Sequence, residues 1–134
     1  MEVHLNVIGY IMFVLATVHI AFPRYFNWKV EFQPVSLINT QMMYVHTFFI
    51  GLIILLMGLL CTLYADELTQ TSFGKTISLG LFIFWGTRLI FQFFVYSSKL
   101  WRGKKFETSV HVVFSLLWTY FTITFLFIYL GIEY

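Results

Sequence analysis

The sequence predicts an all-α fold, a polytopic integral membrane four-helix bundle, from two observations. Hydrophobic residues make up 60% of the 134-residue chain and charged residues only 10%, which is too apolar for a soluble domain of this size. Four segments also reach the roughly twenty apolar residues that a helix needs to cross a bilayer: 5–22, 42–64, 77–97 and 109–131. Little chain remains outside them, so we expect a single transmembrane domain over residues 1–134.

Basic residues predict the orientation of the four spans. Arg24 and Lys29 lie in the loop 23–41, and further basic residues lie in the loop 98–108, whereas only Lys75 lies between the second and third spans. Because positively charged loops stay in the cytoplasm, we expect these two loops to be cytoplasmic. The chain then runs up-down-up-down with both termini on the non-cytoplasmic side. No basic region precedes the first apolar run, so we expect that span to be retained.

Pro23 is expected to end the first span, because proline lacks an N–H and restricts the residue before it. His19 then lies in the last cytoplasmic turn, above small side chains that let another helix approach. The next loop alternates apolar and polar residues, a period-two pattern typical of extended chain. We expect residues 26–33 to be extended, either as an anchor at the membrane interface or as a lid across the cytoplasmic mouth of the bundle.

Ser36, which follows Pro34, is the predicted N-cap of the second helix. That helix therefore begins before its apolar segment, which opens near Met42 and carries His46 one to two turns inside. Cys61 is the single cysteine of the chain, so it cannot form an intrachain disulfide, and we expect it to pack as a small apolar residue.

Arg88 places a permanent cation within the apolar third span. A charged residue at this depth costs about 3 kcal/mol on insertion scales, so it is usually kept for a partner or a function. Gln92 and Tyr96 follow at intervals of four residues and share its helical face. We expect the helix to continue to Trp101–Gly103, with the glycine as its cap.

Glu107 and Thr108 are the predicted caps of the fourth helix. His111 comes one turn after Glu107, and polar residues continue on the same face as far as Thr122. Such a long polar stripe is unfavourable against lipid, so we expect it to face the interior of the bundle.

The predicted topology brings polar residues from all four spans into one leaflet. At about 1.5 Å rise per residue, His19, His46 and His111 would each lie within about two turns of the cytoplasmic side. Gln92 would lie beside them and Arg88 near mid-membrane. Imidazoles on facing helices are typical ligands of haem or of a transition-metal ion.

Haem b and a transition-metal ion are the two alternatives for a cofactor, and redox chemistry is the function that either predicts. Arg88 would repel a bare divalent ion but suits a haem propionate, a quinone or another anionic or apolar small molecule. The sequence contains no Cys-x-x-Cys-His motif, so haem would be bound non-covalently. The predicted site is in the cytoplasmic half of the bundle and consists of His19, His46, His111, Arg88, Gln92 and Tyr96, with Glu107 as an additional metal ligand.

A non-catalytic role explains the same residues. Polar side chains inside a membrane form hydrogen bonds that fix helix packing. The protein is therefore alternatively a structural or accessory membrane subunit, in contact with the lipid bilayer and with either a second copy or a partner subunit. No GxSxG, Walker-type glycine loop or HExxH motif occurs, and whether the protein is an enzyme stays open. The basic segment 99–105 indicates topology and lipid contact, not nucleic-acid binding.

Overall fold

The structure, a computed structural model, describes residues 1–132, so the last two residues of the predicted 1–134 domain lie outside the described part. All regular structure in residues 1–132 is helical: α1 (Glu2–Tyr25), α2 (Trp28–Glu31), α3 (Leu37–Leu63), α4 (Ala65–Gln70), α5 (Ser72–Phe94), a 3-10 turn (Ser98–Leu100) and α6 (Lys105–Leu130). Helices α1, α3, α5 and α6 are long and apolar enough to cross a membrane. The all-α class and four helices of membrane-spanning length are thus confirmed, which indicates a multi-pass membrane protein.

The chain forms two compact units. The N-terminal unit is Leu5–Ala65 and contains most of α1 together with α2 and α3. The C-terminal unit consists of Met1–His4 and the chain from Asp66 onward, and contains α5 and α6.

Glycines let α1 and α3 pack at close range in the N-terminal unit. A Cβ atom placed on Gly58 would lie 3.0 Å from the carbonyl oxygen of Gly9 and 2.8 Å from the ring of Phe13. A Cβ atom on Gly51 would lie 3.2 Å from Cβ of His19. Later residues of α1 thus meet earlier residues of α3, so the two helices run antiparallel. The missing side chains let the backbones approach and make van der Waals contact.

An aromatic core joins α5 to α6 in the C-terminal unit. Trp85 stacks on Trp118 with ring centroids 4.9 Å apart, and Phe121 meets Trp85 edge-on at 4.9 Å. All three side chains are buried. At the C-terminal end of α6, a Cβ atom placed on Gly131 would lie 3.1 Å from Nζ of Lys75. These contacts make the two helices antiparallel and place a cation at the C-terminus of α6, where the helix dipole favours it.

The first helix continues through Pro23 to Tyr25, so the prediction that Pro23 ends it is wrong. Proline removes one hydrogen bond, the one to the carbonyl of His19, and a single loss in the last turn is tolerated. Beyond the proline, the N–H of Phe26 still donates to the carbonyl of Phe22 at 3.0 Å.

The alternation of apolar and polar residues predicted that residues 26–33 are extended, and this prediction is wrong. Asn27 takes a left-handed conformation with φ of 50°, and α2 follows, in which the N–H of Phe32 donates to the carbonyl of Trp28 at 3.0 Å. Because no strand occurs in residues 1–132 to pair with an extended segment, the backbone groups bond within the turn instead. Ser36 then takes the predicted N-cap position of α3, but its side chain makes no capping hydrogen bond.

The third span ends at Phe94 and not at Trp101–Gly103, as predicted. The N–H groups of Val95 and Tyr96 both donate to the carbonyl of Phe91, at 3.1 and 3.4 Å. Sharing one carbonyl interrupts the regular pattern in which each N–H takes its own acceptor. Tyr96 therefore follows the helix and is not part of it.

The fourth span begins at Lys105 with Lys104 at the N-cap position, so the predicted caps Glu107 and Thr108 lie inside its first turn. The hydroxyl of Thr108 donates to the carbonyl of Trp101 at 2.8 Å and ties the preceding loop to the helix. Glu107 is exposed, near the positive end of the helix dipole, where a carboxylate is favourable.

Candidate functional site

Arg88 of α5 lies against two aromatic rings within the C-terminal unit. Its guanidinium carbon is 5.5 Å from the ring centroid of Tyr96 and 5.4 Å from that of Trp118, and the side chain is half-buried. A cation is attracted to the negative face of an aromatic ring by about 0.5–2 kcal/mol, more as water is removed. The two rings therefore offset part of the cost of placing a charge in a membrane-spanning helix.

Gln92 and His111 form a direct hydrogen bond between α5 and α6. The distance from Nε2 of Gln92 to Nδ1 of His111 is 2.7 Å, and Gln92 is 8% exposed. Trp101 stacks on the imidazole, with centroids 3.9 Å apart and planes 8° from parallel. Because the amide nitrogen donates, Nδ1 accepts and the neutral ring keeps its hydrogen on Nε2. In this arrangement neither ring nitrogen offers a free lone pair to a metal.

The C-terminal unit thus brings together four of the predicted site residues, which lie along one end of the α5–α6 pair: Arg88, Gln92, Tyr96 and His111. Their partners include Trp101 and Trp118, which the predicted site did not include. Trp118 lies seven residues after His111 on the same face of α6, and this spacing is a signal that the sequence does carry. Trp101 lies in a loop, where periodicity gives no indication of its contact.

His19 lies in the N-terminal unit near the end of α1. Its Nδ1 is 2.7 Å from the carbonyl oxygen of Leu15, and its ring lies 4.7 Å from that of Phe22, tilted by 46°. A carbonyl can only accept, so Nδ1 carries the hydrogen and Nε2 keeps its lone pair. His19 also lines an open cleft of about 360 Å³ within this unit.

His46 is exposed on α3. The sequence predicted that this histidine would face the interior of the bundle as a ligand, and its role stays a prediction. His4 has its Nδ1 2.9 Å from the hydroxyl of Tyr120 in the C-terminal unit. The hydropathy pattern gives no signal for this second pair, because it joins residues far apart in the chain.

Two buried hydroxyl groups of the C-terminal unit lack hydrogen-bond partners among residues 1–132. They belong to Ser78, which is 0% exposed, and Thr124, which is 1% exposed. Other hydroxyls in the long helices bond back to a carbonyl one turn earlier, as Thr122 does to Trp118 at 2.7 Å. An unpaired buried hydroxyl costs about 1–3 kcal/mol, so each of these two side chains lowers the stability of the fold.

Metal binding needs several ligands at one place, and residues 1–132 contain no group of three or more His, Cys, Asp or Glu side chains that could hold a metal ion. Comparisons with family models, with curated proteins and with solved structures find no match to this chain. The candidate site therefore rests on the geometry of its own residues.

Proposed function

We propose that this protein is a non-catalytic structural or accessory membrane subunit, in which polar side chains fix the packing of the membrane-spanning helices. One observation carries the proposal: Nε2 of Gln92 donates to Nδ1 of His111, between α5 and α6, at 2.7 Å. A hydrogen bond between polar side chains of two membrane helices stabilises their packing. The lone pair of Nδ1, which a metal ion or haem iron would need, is used in this bond.

The surroundings of Arg88 agree with the same role. Both aromatic rings that it contacts belong to the α5–α6 pair or to the chain that joins these helices. A membrane-embedded arginine commonly serves a ligand or an ion path, but these contacts also give it a packing partner. The guanidinium thus connects the end of α5 to α6 and needs no bound anion to do so.

We further propose an up-down-up-down course of the four spans, with loops 23–41 and 98–108 in the cytoplasm and both termini outside. The distribution of lysine and arginine supports it, and Lys29 and Arg102 are exposed in the two basic loops. Single cysteines test this in a Cys61→Ala background. An impermeant thiol reagent added to intact cells should label Thr69→Cys and leave Lys29→Cys unlabelled, and the reverse pattern would invert the topology.

Haem or metal binding with redox chemistry is the second candidate, and His19 is the observation that favours it. Its Nδ1–H donates to a backbone carbonyl, which is the usual way in which a ligating imidazole is oriented, and its Nε2 keeps a lone pair. His46, on α3 of the same unit, would then supply a second ligand.

A visible absorption spectrum and a metal analysis of the purified protein distinguish the two candidates. The structural role predicts a colourless protein with no stoichiometric metal, whether or not the growth medium contains haem precursors and iron. A Soret band that corresponds to one haem per chain, or one bound metal ion per chain, would overturn it. His19→Ala would then show whether that histidine is the ligand, because the band should be lost or shifted.

A further inference from the structure

The cleft in the N-terminal unit lies between α1 and α3 and is mostly apolar. Phe13, Phe48 and Gly51 are among the residues that line it. Its volume of about 360 Å³ falls within the range of about 300–1,000 Å³ that is typical of small-molecule sites. Gly51 and His19, which lie in close contact across α1 and α3, both line the cleft.

Three polar side chains border this cleft: His19, Tyr44 and Thr47. Nε2 of His19 is an acceptor, since Nδ1 is engaged by the carbonyl of Leu15. The hydroxyls of Tyr44 and Thr47 are donors and lie one helical turn apart on α3. Thr17 also lines the cleft, but its hydroxyl donates to the carbonyl of Phe13 at 2.7 Å. An acceptor and two donors therefore border one apolar space.

Pro23 adds a second acceptor near the same place. It lies inside α1 and has no N–H, so the carbonyl of His19 loses the donor that a regular helix would provide. Both Pro23 and His19 line the cleft. A helix carbonyl that has lost its donor commonly bonds to a side chain, water or ligand.

The charge of the lining selects the class of ligand. None of the described residues that line the cleft is Lys, Arg, Asp or Glu. A phospholipid phosphate or a haem propionate would find no cation there to pair with, and burying an unpaired charge is costly. A neutral molecule with polar groups on an otherwise apolar body avoids this cost.

We propose that this cleft binds a neutral isoprenoid quinol from the bilayer, with its ring beside His19. One quinol hydroxyl donates to Nε2 of His19, and the oxygen of the other hydroxyl accepts from Tyr44 or Thr47. Phe13 and Phe48 supply apolar contact for the ring and the start of the tail. Binding is the whole of the inferred activity, and it is independent of the polar contacts in α5 and α6 that carry the structural role.

Photolabelling of the full chain tests the inference. The probe is a short-chain ubiquinol with a diazirine on its tail, added under anaerobic conditions to purified protein in lipid nanodiscs, and adducts are mapped by mass spectrometry. We expect adducts in residues 13–23 and 44–55, which unlabelled quinol suppresses and excess phosphatidylglycerol does not. Equal suppression by the phospholipid would show a general lipid groove and overturn the proposal.

Two variants and a matched control complete the test. His19→Leu should lower labelling about threefold to tenfold, the effect of one lost hydrogen bond, and Thr47→Trp should abolish it by filling the cleft. Thr87→Trp is the control, because Thr87 is exposed on α5 and does not line the cleft. The control and both variants must elute as the native protein does on size exclusion. Unchanged labelling in a native-like Thr47→Trp protein would overturn the proposal.

Discussion

Nε2 of Gln92 lies 2.7 Å from Nδ1 of His111, and this bond connects α5 to α6. Removal of either partner leaves a polar group with no bond in an apolar setting. We therefore expect Gln92→Leu and His111→Phe each to lower the free energy of unfolding by about 0.6–2 kcal/mol, the range for side-chain bonds between membrane helices. Unfolding by sodium dodecyl sulfate, followed by circular dichroism, measures the effect.

A double-mutant cycle separates the bond from the general effects of substitution. The double variant should lose less than the sum of the single losses, because the second substitution breaks no further bond. Thr87→Val is the control, since Thr87 is exposed and its hydroxyl donates to Ile83 within its own helix at 2.8 Å. Strict additivity at Gln92 and His111 would contradict the pairing.

Arg88 gains attraction from the rings of Tyr96 and Trp118. We expect Arg88→Leu to lower the free energy of unfolding in detergent by about 1 kcal/mol, because both cation–π contacts are lost. Arg24→Leu removes a cation from an exposed position in the last turn of α1 and should change the stability by less than half as much. If Arg88→Leu proved more stable than the wild type, packing would not explain why the arginine is present.

Gly58 lies at a close contact of α1 and α3. A Cβ atom there would lie 2.8 Å from the ring of Phe13 and 3.0 Å from the carbonyl of Gly9, so the ring or the helix backbone would have to shift. We expect Gly58→Ala to lower the thermal midpoint and to cost about 1–3 kcal/mol, as overpacking does. Gly80→Ala introduces the same methyl group into open space and should be neutral or slightly stabilising, because alanine favours helix. Equal effects at both glycines would argue against close packing.

Thr124 is 1% exposed, and its hydroxyl has no partner among residues 1–132. Thr124→Val keeps the shape and removes the unpaired hydroxyl, so we expect the free energy of unfolding to rise by about 1 kcal/mol. Thr122→Val is the matched control, because Thr122 already donates to Trp118 and gains nothing from the change. A loss of stability at Thr124 would reveal a bound water or another polar partner.

Hydropathy and charge predicted the fold class and the four long helices, because both follow from short-range composition. The ends of helices were predicted less well. Pro23 lies inside α1, and α5 ends at Phe94, because hydrogen bonds made in the final turn, not apolar length, decide where a helix stops. The period-two pattern of residues 26–33 failed for a similar reason, since an extended segment needs a neighbour to pair with.

The candidate site was predicted in part. The spacing of Arg88 and Gln92 placed them on one face of α5, and the stripe that includes His111 and Trp118 placed these on one face of α6. The structure adds the partners of each residue, including the stack of Trp101 on His111. The exposure of His46 did not follow from its sequence position, because an apolar neighbourhood alone does not show which side of a helix packs.

The sequence by itself determined that the chain is helical and apolar enough to span a membrane. It also showed that Arg88 places a permanent cation within an apolar segment. These features follow from hydropathy and helical periodicity, which are local properties. Only the tertiary structure decided that Gln92 bonds to His111, that Arg88 lies on aromatic rings, and that a cleft opens beside His19. Those relationships depend on how two antiparallel helices pack and on the conformation of the intervening loop. They arise between residues well separated in the chain, where packing and hydrogen-bond geometry, not composition, select the partner.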